Sequence, residues 1–248
     1  MARTTDESIY LILNLGTAMA QAEDLTELYE AIGFGAQLAY DMYPHIDCHT
    51  GCNRCCTNNS MPIVSPIEFV RVYDSVKALP AVAQQELIGR VRDWHERFGP
   101  SLWAMHTGLQ GANTTEKFEK IAKALEVFTD CSCPFVVMGK CSIYDNRPAK
   151  CRAHGAYLLR IGQEVQMHTC AEEVDKMEAH LAEQGSRRVA MPFWNPAEDR
   201  LNRLNAPGVI STILANWLIA HIDGGQFIAE ANPTPDWQAV QARYPDMF

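Results

Sequence analysis

Four cysteines fall within nine residues, Cys48-His-Thr-Gly-Cys52-Asn-Arg-Cys55-Cys56, and five more follow as Cys131, Cys133, Cys141, Cys151 and Cys170. Thiols at this density invite oxidation, and metal ligation by thiolates is the chemistry that requires them. Zinc takes about four such ligands tetrahedrally, and an iron-sulfur cluster is held by cysteines at its irons. The side chains of Cys55 and Cys56, being adjacent, are expected to diverge and to serve two metals, or one metal and a neighbouring role. An odd total of nine fits ligands better than disulfide pairs.

The remainder of the 248 residues must position these thiols. With 47% hydrophobic and 21% charged residues the chain has the composition of an ordinary folded protein. Its formal charge of -9 argues against nucleic acid and against anionic membrane surfaces, both of which need a positive field. Acids near Met1, where a secretory leader needs a basic region, point to the cytoplasm. The longest apolar run, residues 209–222, is broken by Ser, Thr, Asn and His, so no membrane span is expected. In a reducing compartment clustered cysteines are metal ligands or redox centres rather than a disulfide framework.

Apolar residues at helical spacing over residues 6–44, with a break near residues 22–24, predict a helical hairpin that Pro44 ends. Ser65-Pro66 with Glu68 is a helix start, the capping residue and the first-turn proline each in place. Further helices are expected at 82–98, stopped by Gly99-Pro100, at 115–128, at 171–184, after Asn195, and over 209–222. Between Cys131 and Cys170 the pattern changes to two short hairpins, 135–144 with its turn at Gly139-Lys140 and 157–168 with its turn at Gly162-Gln163. Such irregular pieces make poor cores, and a metal would supply the missing crosslink. The expected fold is therefore mainly α, a single domain with a helical body around a metal-crosslinked irregular segment with short β-hairpins. Residues 1–44 are N-terminal helices, 45–170 the cysteine-cluster region with a helical insert at 58–130, and 171–248 C-terminal helices and a tail.

The spacing Cys48-x3-Cys52-x2-Cys55 is also the one with which radical S-adenosylmethionine enzymes hold a cubane, but helices on both sides lack the strand-helix alternation of their barrel. The wider series is more specific. Cys48-x3-Cys52-x2-Cys55-Cys56, Cys133-Pro-Phe, Gly139-Lys-Cys141-Ser-Ile-Tyr144, Arg147-Pro148 and Cys151-Arg152 together resemble the YkgJ-type cysteine-cluster family, described as zinc- or iron-chelating proteins. The resemblance covers about residues 48–170, with Cys131 as an additional cysteine.

That resemblance implies Cys48, Cys52, Cys55, Cys56, Cys133, Cys141, Cys151 and Cys170 as metal ligands, in two four-ligand sites or in one cluster with spare thiols. The implied cofactor is an iron-sulfur cluster in redox or metalloenzyme chemistry, or else zinc in a non-enzymatic module whose helices bind a partner. The cysteine motifs also resemble those of flagellin lysine methylases, which would imply S-adenosylmethionine chemistry; a glycine-rich nucleotide loop after a strand is missing. The nonapeptide reads as one half of a site shared with Cys133, Cys141, Cys151 and Cys170. Arg152, directly after a ligand, is placed to offset thiolate charge; for Arg147 the same role and an ordinary ion pair with a nearby acid both stand open. Pro134 and Pro148 would fix loop dihedrals near the sulfurs. Of the histidines beside cysteines, His45, His49, His154 and His168, His154 is the one assigned to cofactor binding, because Gly155 would let the backbone approach the site. His95, His106, His180 and His221 read as structural. The partner is an unknown protein or small molecule.

Overall fold

Asp24 divides the first two helices, Thr5–Gln21 and Leu25–Met42: its carboxylate accepts the Thr26 and Glu27 amides at 2.7 and 2.9 Å, satisfying donors that a helix start leaves open. The computed structural model describes residues 5–48, 52–57, 62–110, 114–128, 131–169, 171–185 and 189–245. Among these, helices dominate, and the strands are two to four residues long in antiparallel two-stranded pairs. The chain divides into two compact units, Met1–Cys52 with Ala149–Leu204 and Asn53–Pro148 with Asn205–Phe248. Each unit is thus made of two stretches distant in sequence. Among the described residues no helix is long and apolar enough to cross a membrane.

In the first unit the helical hairpin buries Leu15 and Met19 on one helix and Leu28, Ile32 and Leu38 on the other. Gly35 opens a notch in it. A Cβ there would lie 2.3 Å from both Leu15 Cδ2 and the Tyr157 hydroxyl, and through this notch Tyr157 donates to the Ile32 carbonyl at 2.8 Å. Tyr157 leads into the hairpin Leu158–Ile161 and Glu164–Met167, which pairs Leu158 with Met167 and turns at Gly162 as the sequence predicts. Gly35→Ala is expected to destabilise the protein by about 2 kcal/mol, from overpacking and loss of the buried hydrogen bond. Gly33→Ala, where a Cβ would meet nothing within 4 Å, should instead stabilise by up to about 1 kcal/mol through helix propensity. Urea denaturation of the two variants checks the opposite signs.

The second unit is built on two helices, Pro66–Ala78 and Ala81–Gly108. The first starts as read from the sequence: buried Glu68 accepts from the Ser65 amide and hydroxyl at 3.1 and 2.9 Å. The second passes through Gly99-Pro100 instead of stopping there. Pro100 costs the hydrogen bond to the Glu96 carbonyl, but both residues are exposed, so water replaces it while Phe98 and Leu102 remain buried. The apolar run 209–222 is likewise not one helix. Thr212–Ile213 pairs with Ile63–Val64, and only Leu214–Ala220 is helical. Trp217 of that helix donates to the Val64 carbonyl at 2.8 Å and stacks on Phe69 at 4.9 Å, locking the strand pair onto the core.

Candidate metal centre

Cys55 and Cys56 occupy the single helical turn Arg54–Thr57, where the Asn53 carbonyl accepts the Cys56 and Thr57 amides at 2.9 and 3.0 Å. The Asn53 side chain donates to the Gly139 carbonyl at 2.6 Å, and the Cys56 carbonyl accepts the Cys133 amide at 2.7 Å. These links join the second half of the nonapeptide to the Cys133 loop and to the hairpin Val136–Val137 and Lys140–Cys141. The hairpin reverses at Met138 (φ 48) and Gly139 (φ 74), one residue earlier than the sequence predicts, with the two positive φ values of a tight primed turn. The helix Ala81–Gly108 also holds the loop: Arg90 Nε donates to the Pro134 carbonyl at 2.7 Å and Trp94 Nε1 to the Ser132 carbonyl at 2.8 Å.

The adjacent sulfurs do not diverge. Cys55 Sγ and Cys56 Sγ are 3.8 Å apart. The hydrogen bond from Cys55, assisted by the Arg147 guanidinium, outweighs burial and brings the Cys56 thiol down to about 7. Burial pushes Cys133 up to about 12 and raises Cys141, against the lowering influence of Arg90 on the one and Arg147 on the other. Cys133 and Cys141 both feel the charge of Cys56. At neutral pH Cys56 is thus shared between thiol and thiolate and is the most readily ionised of the three, whereas Cys133 and Cys141 are thiols that would give up their protons only to a cation. Arg147 lies 4.1 Å from the Tyr144 ring centre, so its charge is held in place. Cys131 is buried in the apolar core of this unit.

In the first unit, buried Glu173 accepts the Asp47 amide at 2.9 Å and thereby fixes the approach to Cys48. Cys48 then packs directly on Gly155, whose φ is +89°; a Cβ at that position would lie 2.3 Å from Cys48 Cβ and 2.6 Å from its sulfur. Cys48 Sγ is also 3.7 Å from Thr169 Oγ1, and the Gly155 amide donates to the His168 carbonyl at 2.7 Å. Beside this contact the His154 and His168 rings meet edge-on with centres 4.8 Å apart. Nε2 of each ring is buried with no hydrogen-bond partner among the described residues. Burial, with the Lys150 charge adding, lowers His154 to about 4 and His168 well below the ordinary imidazole range, so both rings are neutral.

The other expected site residues are placed as follows. Cys151 lies in the short helix Ala149–Ala153, three residues before His154, and Cys52 is half-buried. The Arg152 guanidinium sits over the Tyr29 ring at 4.5 Å. His45 stacks on His180 at 4.3 Å. Cys170 and His49 lie outside the described residues. Among the described residues no three His, Cys, Asp or Glu side chains form a group that could hold a metal ion, and no disulfide joins two cysteines.

Sequence reasoning did not single out Asn53, Arg90 or Lys150. Lys150 carries a signal, since it precedes a cysteine as Arg152 follows it. Arg90 carries none, being an arginine on a long helix whose contact with the cysteine loop depends on the fold. In comparisons with family models, curated proteins and solved structures, nothing matches the chain.

Proposed function

We propose that the chain is a cysteine-rich metal-binding protein, carrying in its second unit an iron-sulfur centre used in redox or metalloenzyme chemistry. Cys55, Cys56, Cys133 and Cys141 would hold it. The observation that carries this reading is the joining of two distant cysteine groups: Cys56 receives the Cys133 amide and acts electrostatically on both Cys133 and Cys141. The resemblance to the YkgJ-type family nominates the same four residues.

Sulfur ligands bound at about 2.3 Å in tetrahedral geometry stand about 3.8 Å apart. The Cys55–Cys56 separation therefore suits two cysteines on one metal atom, as at each iron of a two-iron cluster, better than separate corners of a cubane. Such a centre, when bound, supplies one-electron transfer. Arg147 and Arg90 would offset the accumulated thiolate charge, and buried Phe135 and Ile143 would limit water access.

Zinc is the second reading, favoured by that same separation, which a single ion also satisfies. It would crosslink the irregular segment in a module that binds a partner through its helices. Methyl transfer from S-adenosylmethionine rests on motif likeness alone. Anaerobic purification with absorption spectroscopy and iron, sulfide and zinc analysis tests the proposal. We expect a coloured protein with about two irons and two sulfides per chain, lost in Cys56→Ser and in Cys141→Ser. A colourless chain with stoichiometric zinc and no iron would sink the iron-sulfur reading in favour of the module.

A further inference from the structure

We propose that the outward face of the first helix, Thr5–Gln21, is a contact surface for a second copy of this chain, the two helices packing antiparallel about a two-fold axis beside Leu13 and Asn14. This surface contains no cysteine and is independent of the centre assigned to the second unit.

The helix has two faces of different chemistry. Ile12, Leu15 and Met19, three and four residues apart, are buried within the first unit. On the opposite side Tyr10 and Leu13 are 68% and 75% exposed, and Thr17 and Gln21 continue their stripe at the same spacing. A helix face that meets water ordinarily carries lysine and glutamate there. This one carries none: from Ile9 to Ala22 no residue is charged, in a chain whose sequence is 21% charged. An exposed aromatic and an exposed leucine on a stripe without charge have the composition of an interface centre, where charged residues are depleted and tyrosine is enriched.

Two observations select a second copy as the occupant. The first is charge. Each chain carries -9, so two copies repel wherever their acidic surfaces approach, and a stripe free of charge is where they meet without that cost. A basic partner attracted by the acidic chain would find no carboxylate on this stripe to pair with. The second is self-complementarity in size, which a two-fold contact requires because the same patch serves both sides. With the axis between residues 13 and 14, position 10 of one copy faces position 17 of the other. The large Tyr10 ring thus meets the small Thr17, with Ala18 beside it, and the two Leu13 side chains cover each other at the axis. Asn14, the polar residue nearest the axis, is partly satisfied within its own helix, its side-chain amide donating to the Tyr10 carbonyl at 2.8 Å. A helix of 17 residues is about 25 Å long, so two of them make a small contact and a dimer that dissociates at micromolar concentrations.

The test is sedimentation equilibrium of the full chain, kept reduced so that no intermolecular disulfide contributes, at about 1 to 200 μM. A reversible monomer-dimer equilibrium is expected. Leu13→Glu and Leu13→Lys should each weaken it about tenfold or more, because like charges then meet at the axis. An equimolar mixture of the two variants should restore the dimer, since position 13 of one copy lies against position 13 of the other. Leu13 is outside the core, so the thermal midpoint of each variant at low concentration should match that of the unaltered chain. An unaltered chain that stays monomeric over the whole range overturns the proposal without recourse to any variant. It is overturned as well by a dimer that Leu13→Glu leaves unchanged, which places the contact elsewhere, and by a mixture that stays monomeric, which excludes the two-fold arrangement.

Discussion

Lowering the pH from 7 toward 4 is expected to remove a large part of the folding stability. His106 is 1% exposed, stacked on Trp103 at 4.7 Å, packed against Trp237 at 4.3 Å and 2.9 Å from Thr212 Oγ1. Burial lowers it to about 4. Above the ordinary imidazole value of 6.5 the ring is neutral in both folded and unfolded chains and the shift has no effect. Below 6.5 the unfolded chain binds a proton that the folded one refuses, so stability falls with falling pH until about 4. This one residue accounts for about 3 kcal/mol over that window, against a total of about 5–15 kcal/mol for a typical domain. His95, His154, His168 and His221 are lowered by burial as well and act in the same direction. Urea unfolding midpoints measured between pH 7 and 5, above most carboxylate titration, isolate the histidine effect. His106→Gln should flatten the slope by about one proton; a midpoint that rises on acidification contradicts the argument.

What the sequence made legible was local chemistry. Ser65, Pro66 and Glu68 announce a helix start because the hydrogen bonds they make close within four residues. Gly155 was readable as a point of close approach because a glycine beside a cysteine motif has few other uses. Features decided by distant partners were not readable. Whether Pro100 ends a helix depends on which side of that helix faces water, and whether residues 209–222 form one helix depends on the strand Ile63–Val64 that pairs with Thr212–Ile213. The same holds for the site. The cysteines were evident by type and spacing, but the division of the chain between Cys52 and Asn53, which assigns them to different units, follows from topology. The meeting of Cys55 and Cys56 sulfurs depends on rotamers that a sequence does not display.

Gly155→Ala tests the seating of Cys48, and it is expected to destabilise the protein by about 2–4 kcal/mol. Two costs combine. At φ +89° an alanine is strained by about 1 kcal/mol relative to glycine, and its Cβ would overlap both Cβ and Sγ of Cys48. Retreat is obstructed on both sides: the Asp47 amide is tied to Glu173, and the Gly155 amide to the His168 carbonyl. Overpacking of this kind adds about 1–3 kcal/mol. Gly162→Ala separates the two costs, because Gly162 has φ +59° but nothing within 4 Å of its would-be Cβ, so only the strain of about 1 kcal/mol should appear. Equal losses in the two variants by urea denaturation would mean that Cys48 is not seated on Gly155. A larger loss for Gly155→Ala, accompanied by faster alkylation of Cys48, would show that this glycine holds the sulfur against the His154 turn.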